Sequence, residues 1–132
     1  MAQKTKVIDA SIIVKWFSEE IGSKEALNLK DDHINRKTLL IVPELAFFEV
    51  INAPRYKKQI EDKLSKVNKD LWGLQLYIEK INPFLLEKSI ELALKYNLSI
   101  YDAIYLALSN LYNSPLITAD KALGKLPNTV LL

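Results

Sequence analysis

No cysteine occurs in this chain, and histidine occurs once, at position 33. The first absence removes disulfides, thiolate nucleophiles and cysteine-ligated zinc. The second removes a histidine-rich metal site and weakens any serine-histidine-aspartate triad. No apolar run approaches the roughly 18 residues of a membrane span. The opening MAQKTKVIDAS lacks the longer apolar region of a signal peptide, so the cytoplasm is the expected compartment, with no membrane as partner. The formal net charge of +2 is too small to argue for nucleic acid by itself. What remains for chemistry is carboxylates, hydroxyls and lysines. Core is not scarce: 132 residues, 49% of them hydrophobic, suffice for one domain over 1–132 and are too few for two of ordinary size.

The apolar pattern alternates short strands with helices. Lys6-Val7-Ile8-Asp9 reads as a buried strand ending on an acid, followed by a helix with Ile12, Ile13, Trp16 and Phe17 on one surface. Ser23 offers an N-cap to a polar helix from Lys24 to Arg36, with Ala26, Leu27 and Ile34 as its core stripe and His33 on solvent. Leu39 to Val42 is a second strand, and Pro43 begins a helix that Pro54 ends. After the basic Arg55, Lys57 and Lys58, the residues Ile60, Leu64, Val67, Leu71 and Leu74 recur in threes and fours, opposite Lys63, Lys66 and Lys69. Tyr77 to Ile81 suits a strand. Asn82-Pro83 starts a helix that turns Leu86, Ile90, Ala93 and Leu94 to the core and closes on a left-handed Asn97.

Ser99 then opens a helix burying Ile100, Ala103, Ile104, Ala107, Leu108 and Leu111, and Leu116-Ile117-Thr118 follows as a strand buried on both faces. Asp120 to Leu126 reads as a short helix or turn, and Asn128 to Leu131 as a final strand. Short buried strands separated by helices predict an α/β fold: a three-layer α/β/α sandwich around a parallel sheet of about five strands.

Ligands of such sheets bind beyond the carboxyl ends of the strands. Asp9 and Asp120 sit at such ends, Asp102 at a helix start on the same rim, and Glu49 leans back towards it from the helix after the second strand. Four carboxylates in one small volume repel until some protonate, unless a cation intervenes, and oxygen-only ligation suits Mg²⁺ or Mn²⁺. Each acid also has an ordinary reading. Asp102 completes a capping arrangement begun by Ser99, and Asp120 caps the turn after it. Asp9 is unfavourable in a strand and Glu49 is out of place among Phe47, Phe48, Val50 and Ile51, so these two are harder to explain structurally. Asn52, on the face of Glu49, is placed to orient it by a hydrogen bond. Ser11 and Thr118, each two residues from an acid, are placed to support a carboxylate, although single hydroxyls more often serve local turns. Lys15 is a candidate phosphate contact. The tyrosines at 101, 105 and 112 read as core or core edge.

Three blocks, VIDASIIVKWF, VPELAFFEVINA and LSIYDAIYLALSNLYNSPLITADKAL, resemble the PIN-domain family of metal-dependent ribonucleases and, within it, the VapC toxins of toxin-antitoxin pairs. The resemblance covers nearly the whole chain. It implies that Asp9, Glu49, Asp102 and Asp120 are the metal-binding acids, with Thr118 and Ser11 in supporting places, acting on RNA with Mg²⁺ or Mn²⁺. It also implies a homodimer and a small VapB-like antitoxin whose tail covers the acidic pocket. One departure is Asn-Ala-Pro-Arg after Glu49, where relatives continue the helix with a leucine. Two alternatives stay open: a housekeeping RNA-maturation nuclease without antitoxin, and a non-enzymatic receiver-like or binding module.

Overall fold

Val7 and Ile8 are neighbours in sequence, point to opposite faces of a strand, and are both fully buried. Leu40, Ile41 and Val42 repeat the pattern, so the central strands carry protein on both faces. In the computed structural model, which describes residues 4–53 and 62–132, the chain runs β1 (Lys4–Ile8), α1 (Ala10–Phe17), α2 (Ser23–Ile34), β2 (Thr38–Pro43), α3 (Leu45–Asn52), α4 (Leu64–Gly73) and β3 (Tyr77–Glu79). It continues through α5 (Pro83–Tyr96), α6 (Ile100–Leu111), β4 (Leu116–Thr118), a 3₁₀ turn (Leu123–Lys125) and β5 (Thr129–Leu131). The five strands form one parallel sheet in the order β3-β2-β1-β4-β5, with Val7 opposite Ile41 on one side and Leu116 on the other. This is the expected α/β sandwich.

The strand order decides where a site can form. From β1 the chain steps outward to β2 and β3, then returns to the far side of β1 as β4, so the order reverses between β1 and β4. Right-handed crossovers place α1 to α4 over one face and α5 and α6 over the other. Accordingly α6 packs on β1, β2 and β4, with α5 outside it. Seven consecutive residues of α6, Ala103 to Ser109, are buried, because that helix lies between the sheet and α5. Its flanks Ile100 and Leu111, expected inside, are partly exposed.

The helix boundaries and buried stripes shift in informative ways. Pro43 is the last residue of β2 rather than the first of α3, and α3 stops at Asn52, ahead of Pro54. The cap of α2 is Gly22 at φ 86°, a left-handed backbone that glycine tolerates, and not Ser23, whose hydroxyl instead donates to the Ser18 carbonyl. Leu29 joins Ala26 in the core, while Leu27 and Ile34 face outward. In α5 the buried stripe is Leu85, Ser89 and Ala93; Leu86, Ile90 and Leu94 are exposed, one residue round the helix from the expected face. The caps at Asn82 and Ser99 and the left-handed Asn97 (φ 55°) stand where the sequence puts them. His33 is not a free surface residue: its Nδ1 accepts from the Leu40 amide and its Nε2 reaches the Leu74 carbonyl at 2.9 Å, tying α2 to β2 and to the end of α4. Arg55, Lys57, Lys58 and Ile60 lie outside the described residues.

Candidate active site

Asp9 occupies the position directly after β1, at the edge of the crevice opened by the reversal of strand order. It is also the N-cap of α1, accepting from the Ser11 amide at 3.0 Å, so a local capping preference fixes its direction. Only 6% of the residue is exposed. The Ser11 hydroxyl donates to Oδ1, and the Thr118 hydroxyl, arriving from the end of β4, donates to Oδ2 at 2.5 Å. Both hydroxyls are polarised by the backbone of the turn after β4. The Ala119 amide donates to Ser11 Oγ at 2.9 Å and the Asp120 amide to Thr118 Oγ1 at 3.0 Å. An amide can only donate, so each hydroxyl accepts there and turns its own proton to Asp9. Three of the roughly four lone-pair positions of a carboxylate are thereby filled, and the one left open is on Oδ2.

Glu49 lies half-buried on α3 and accepts from the Tyr105 hydroxyl of α6 at 2.5 Å. That bond crosses 56 residues and supplies the orientation expected of Asn52, which is exposed and makes no hydrogen bond to Glu49. Tyr105 is core, only 1% exposed, but its hydroxyl belongs to the site; a tyrosine three residues after Asp102, one turn along the same helix face, was the available signal. Asp102, half-buried in the first turn of α6, has its amide capped by Ser99 Oγ at 3.1 Å. Asp120 is exposed and accepts from the Leu123 amide at 3.0 Å, capping the 3₁₀ turn. The capping readings of both acids therefore hold, and neither uses up the carboxylate. Glu44 accepts from the Ile81 amide instead, away from this group. Lys15 is committed elsewhere: its ammonium pairs with Glu20 at 3.1 Å and donates to the Ile21 carbonyl at 2.5 Å, closing the turn before α2.

Burial and neighbouring charge act on three of the four acids. Burial pushes the Asp9 carboxyl up against the opposing pull of Ser11 and Thr118. Burial also raises Glu49, and the charges of Asp102 and Asp9 raise it further. Asp102 is raised by burial and then by Asp120. Tyr105 stays neutral far above its ordinary range, through burial and the adjacent Glu49, so it acts as a fixed donor. Such mutual destabilisation is the electrostatic condition that a cation relieves, and the donors are hard oxygens only, matching Mg²⁺ or Mn²⁺ in type. Among the described residues no three acidic or histidine side chains already stand within the reach of one ion. No helix among the described residues is long and apolar enough to cross a membrane.

Ribonuclease VapC3 of Pyrobaculum aerophilum is 29% identical over 125 residues, which span 90% of this chain and 92% of that protein. A toxin-antitoxin complex from Klebsiella pneumoniae contains a chain of similar fold, with TM-score 0.72, 24% identity and 95% of each chain covered. VapC20 of Mycobacterium tuberculosis, described as a sarcin-ricin loop cleaving toxin, shares the fold with TM-score 0.70 at 11% identity, over 91% of this chain and 93% of that one. The model of the PIN domain family matches residues 6–128, which include all four acids and the strands from the middle of β1 through β4, and the chain belongs to that family.

Proposed function

We propose that this chain is a divalent-metal-dependent endoribonuclease that hydrolyses RNA phosphodiester bonds and serves as the toxin of a toxin-antitoxin pair. The observation that carries the reading is the locking of Asp9 by Ser11 and Thr118 at the strand-order reversal, with Glu49 close enough to feel the charges of Asp9 and Asp102, and Asp102 that of Asp120. The similar protein named a ribonuclease supports RNA as the substrate, and the neighbour solved as a toxin-antitoxin complex supports a small VapB-like antitoxin as partner. The exposed stripe of Leu86, Ile90 and Leu94 on α5 supports a homodimer, since an apolar row at that spacing is costly in water. The cytoplasm, where such an RNA target resides, is its proposed compartment.

Asp9, Glu49, Asp102 and Asp120 would hold Mg²⁺ or Mn²⁺. When bound, such an ion neutralises phosphate charge and lowers the pKa of water. The chain supplies the rest. Asp9 offers its one open lone pair from a position that cannot rotate, because three donors hold it. Glu49 is steered by Tyr105. Asp102 and Asp120 are the more open pair, where the scissile phosphate and the attacking water have access, and the raised Asp102 carboxyl is suited to take a proton from that water. Purified Asp102→Asn protein should keep its fold and lose RNA cleavage by more than about 100-fold, while chelator abolishes wild-type cleavage and Mg²⁺ or Mn²⁺ restores it. Wild-type cleavage rates from Asp102→Asn would remove the site assignment.

A further inference from the structure

Asp120 is exposed, yet its carboxylate is not free to turn. The Leu123 amide donates to Oδ1 at 3.0 Å, and the next amide, that of Gly124, donates to the Asp120 carbonyl at 2.9 Å. The amide of Asp120 itself donates to Thr118 Oγ1. The direction of this acid is therefore set by the 3₁₀ turn Leu123–Lys125, and whatever holds the turn aims the carboxylate. On one side the turn is anchored by Leu123, which is buried in the core. On the other side it rests on β5, and the contact there requires a glycine. A Cβ built on Gly124 would lie 2.9 Å from Leu131 Cβ and 3.0 Å from its Cδ1, whereas one on Gly73 would meet nothing.

Neither side of this contact has slack. β5 is tied to β4 at both ends: the Leu116 amide donates to the Asn128 carbonyl at 2.9 Å, and the Leu132 amide to the Thr118 carbonyl at 2.8 Å. Leu131 stands opposite Thr118 in the register. A Cβ moves only with its backbone, so no change of rotamer takes Leu131 Cβ out of the way. Crowding at position 124 must shift the turn, and the first bonds in its path are those that Leu123 and Gly124 make to Asp120. We infer that β5 braces the candidate metal site: Leu131, seated on the bare backbone of Gly124, is a positioning residue for the Asp120 carboxylate. The same strand end holds Thr118, the donor to Asp9. The inference rests on Asp120 as a metal-binding acid for its consequence, while the brace itself is measured without metal.

Two readouts on the full-length protein, both without RNA, test this. In metal-free Gly124→Ala, hydrogen exchange at the amides of residues 123 and 124 should quicken by at least about 5-fold. Mn²⁺ binding, followed by the electron paramagnetic resonance of the free ion, should weaken about 10-fold. Leu131→Gly removes the atoms that meet the new methyl, so the double variant should return both readouts to within about 3-fold of wild type. Leu29→Ala, a core truncation on α2, loosens the protein away from the turn and should leave Mn²⁺ affinity unchanged. Should Gly124→Ala not fold, Leu131→Gly decides alone, because a turn without its brace should also exchange faster at 123 and 124. Unchanged exchange in Gly124→Ala, or a double variant no better than the single one, overturns the inference. Faster exchange with undiminished Mn²⁺ affinity overturns it as well, since Asp120 then needs no brace. An equal loss of affinity in Leu29→Ala does the same by assigning the effect to general loosening. A wild-type chain that binds no Mn²⁺ removes the metal site, and the exchange rates then decide the brace by themselves.

Discussion

Thr118→Val isolates the interaction on which the site depends. Valine has nearly the shape of threonine, and the position is fully buried, so the substitution leaves packing in place and deletes one hydroxyl. Two hydrogen bonds go with it. The bond to Asp9 Oδ2 has a charged acceptor and is worth about 1.5–3 kcal/mol. The Asp120 amide loses its acceptor, but Asp120 is exposed and water replaces much of that bond, at a cost of roughly 0.5 kcal/mol. The expected destabilisation is therefore about 2–3.5 kcal/mol. For 132 residues, an unfolding entropy of about 2.1 cal/mol/K per residue means that each kcal/mol moves Tm by about 3.5 °C, so Tm should fall by roughly 7–12 °C. Urea denaturation at pH 7 measures the free energy directly, and a double-mutant cycle with Asp9→Asn locates it. Asparagine removes the charge, so the coupling between positions 9 and 118 should be about 1–2.5 kcal/mol. A loss below about 0.5 kcal/mol, or additive behaviour in the cycle, would refute the claim that Thr118 holds the Asp9 carboxylate.

The metal-free protein should become more stable as pH falls from 7 towards 4.5. Asp9, Glu49 and Asp102 all sit above their ordinary values of 3.8, 4.5 and 3.8, so in that window the folded state binds more protons than the unfolded one and stability drops as pH rises. Thermal melts across this range should show the slope, saturating Mg²⁺ should raise Tm most at neutral pH, and Asp9→Asn should flatten the curve; a melt that worsens steadily on acidification contradicts the shifts. Tyr105→Phe removes the donor to the Glu49 carboxylate, and should cost about 1.5–3 kcal/mol in urea denaturation and lower kcat with little change in KM. Unchanged turnover in that variant would mean that Glu49 is oriented by something else.

Much of this molecule follows from local chemistry. The alternation of short β-branched runs with helical periodicity specified five parallel strands and their order along the chain, because a strand buried on both faces and a helix with one apolar stripe carry different periods. Caps at Asn82, Ser99 and Asn97 were legible for the same reason: each is a bond between residues three or four apart. Where two apolar faces compete, as on α5, periodicity alone does not choose between Leu85-Ser89 and Leu86-Ile90; the small serine goes inside because α6 approaches closely there.

The four acids were legible as positions at strand ends and helix starts, but their partners were not. Thr118 is two residues from Asp120, yet its hydroxyl serves Asp9, 109 residues away, because β1 and β4 lie side by side. Tyr105 reads as core and turns out to carry the donor that holds Glu49, and His33 reads as solvated and turns out to bridge two elements. The sequence by itself determined that four acids stand at strand ends and helix starts and which elements present them, since both depend on neighbours in the chain. Only the tertiary structure decided which carboxylate each hydroxyl holds, Ser11 and Thr118 on Asp9 and Tyr105 on Glu49. Those pairings are set by the order in which strands join the sheet, a property of contacts distant in sequence.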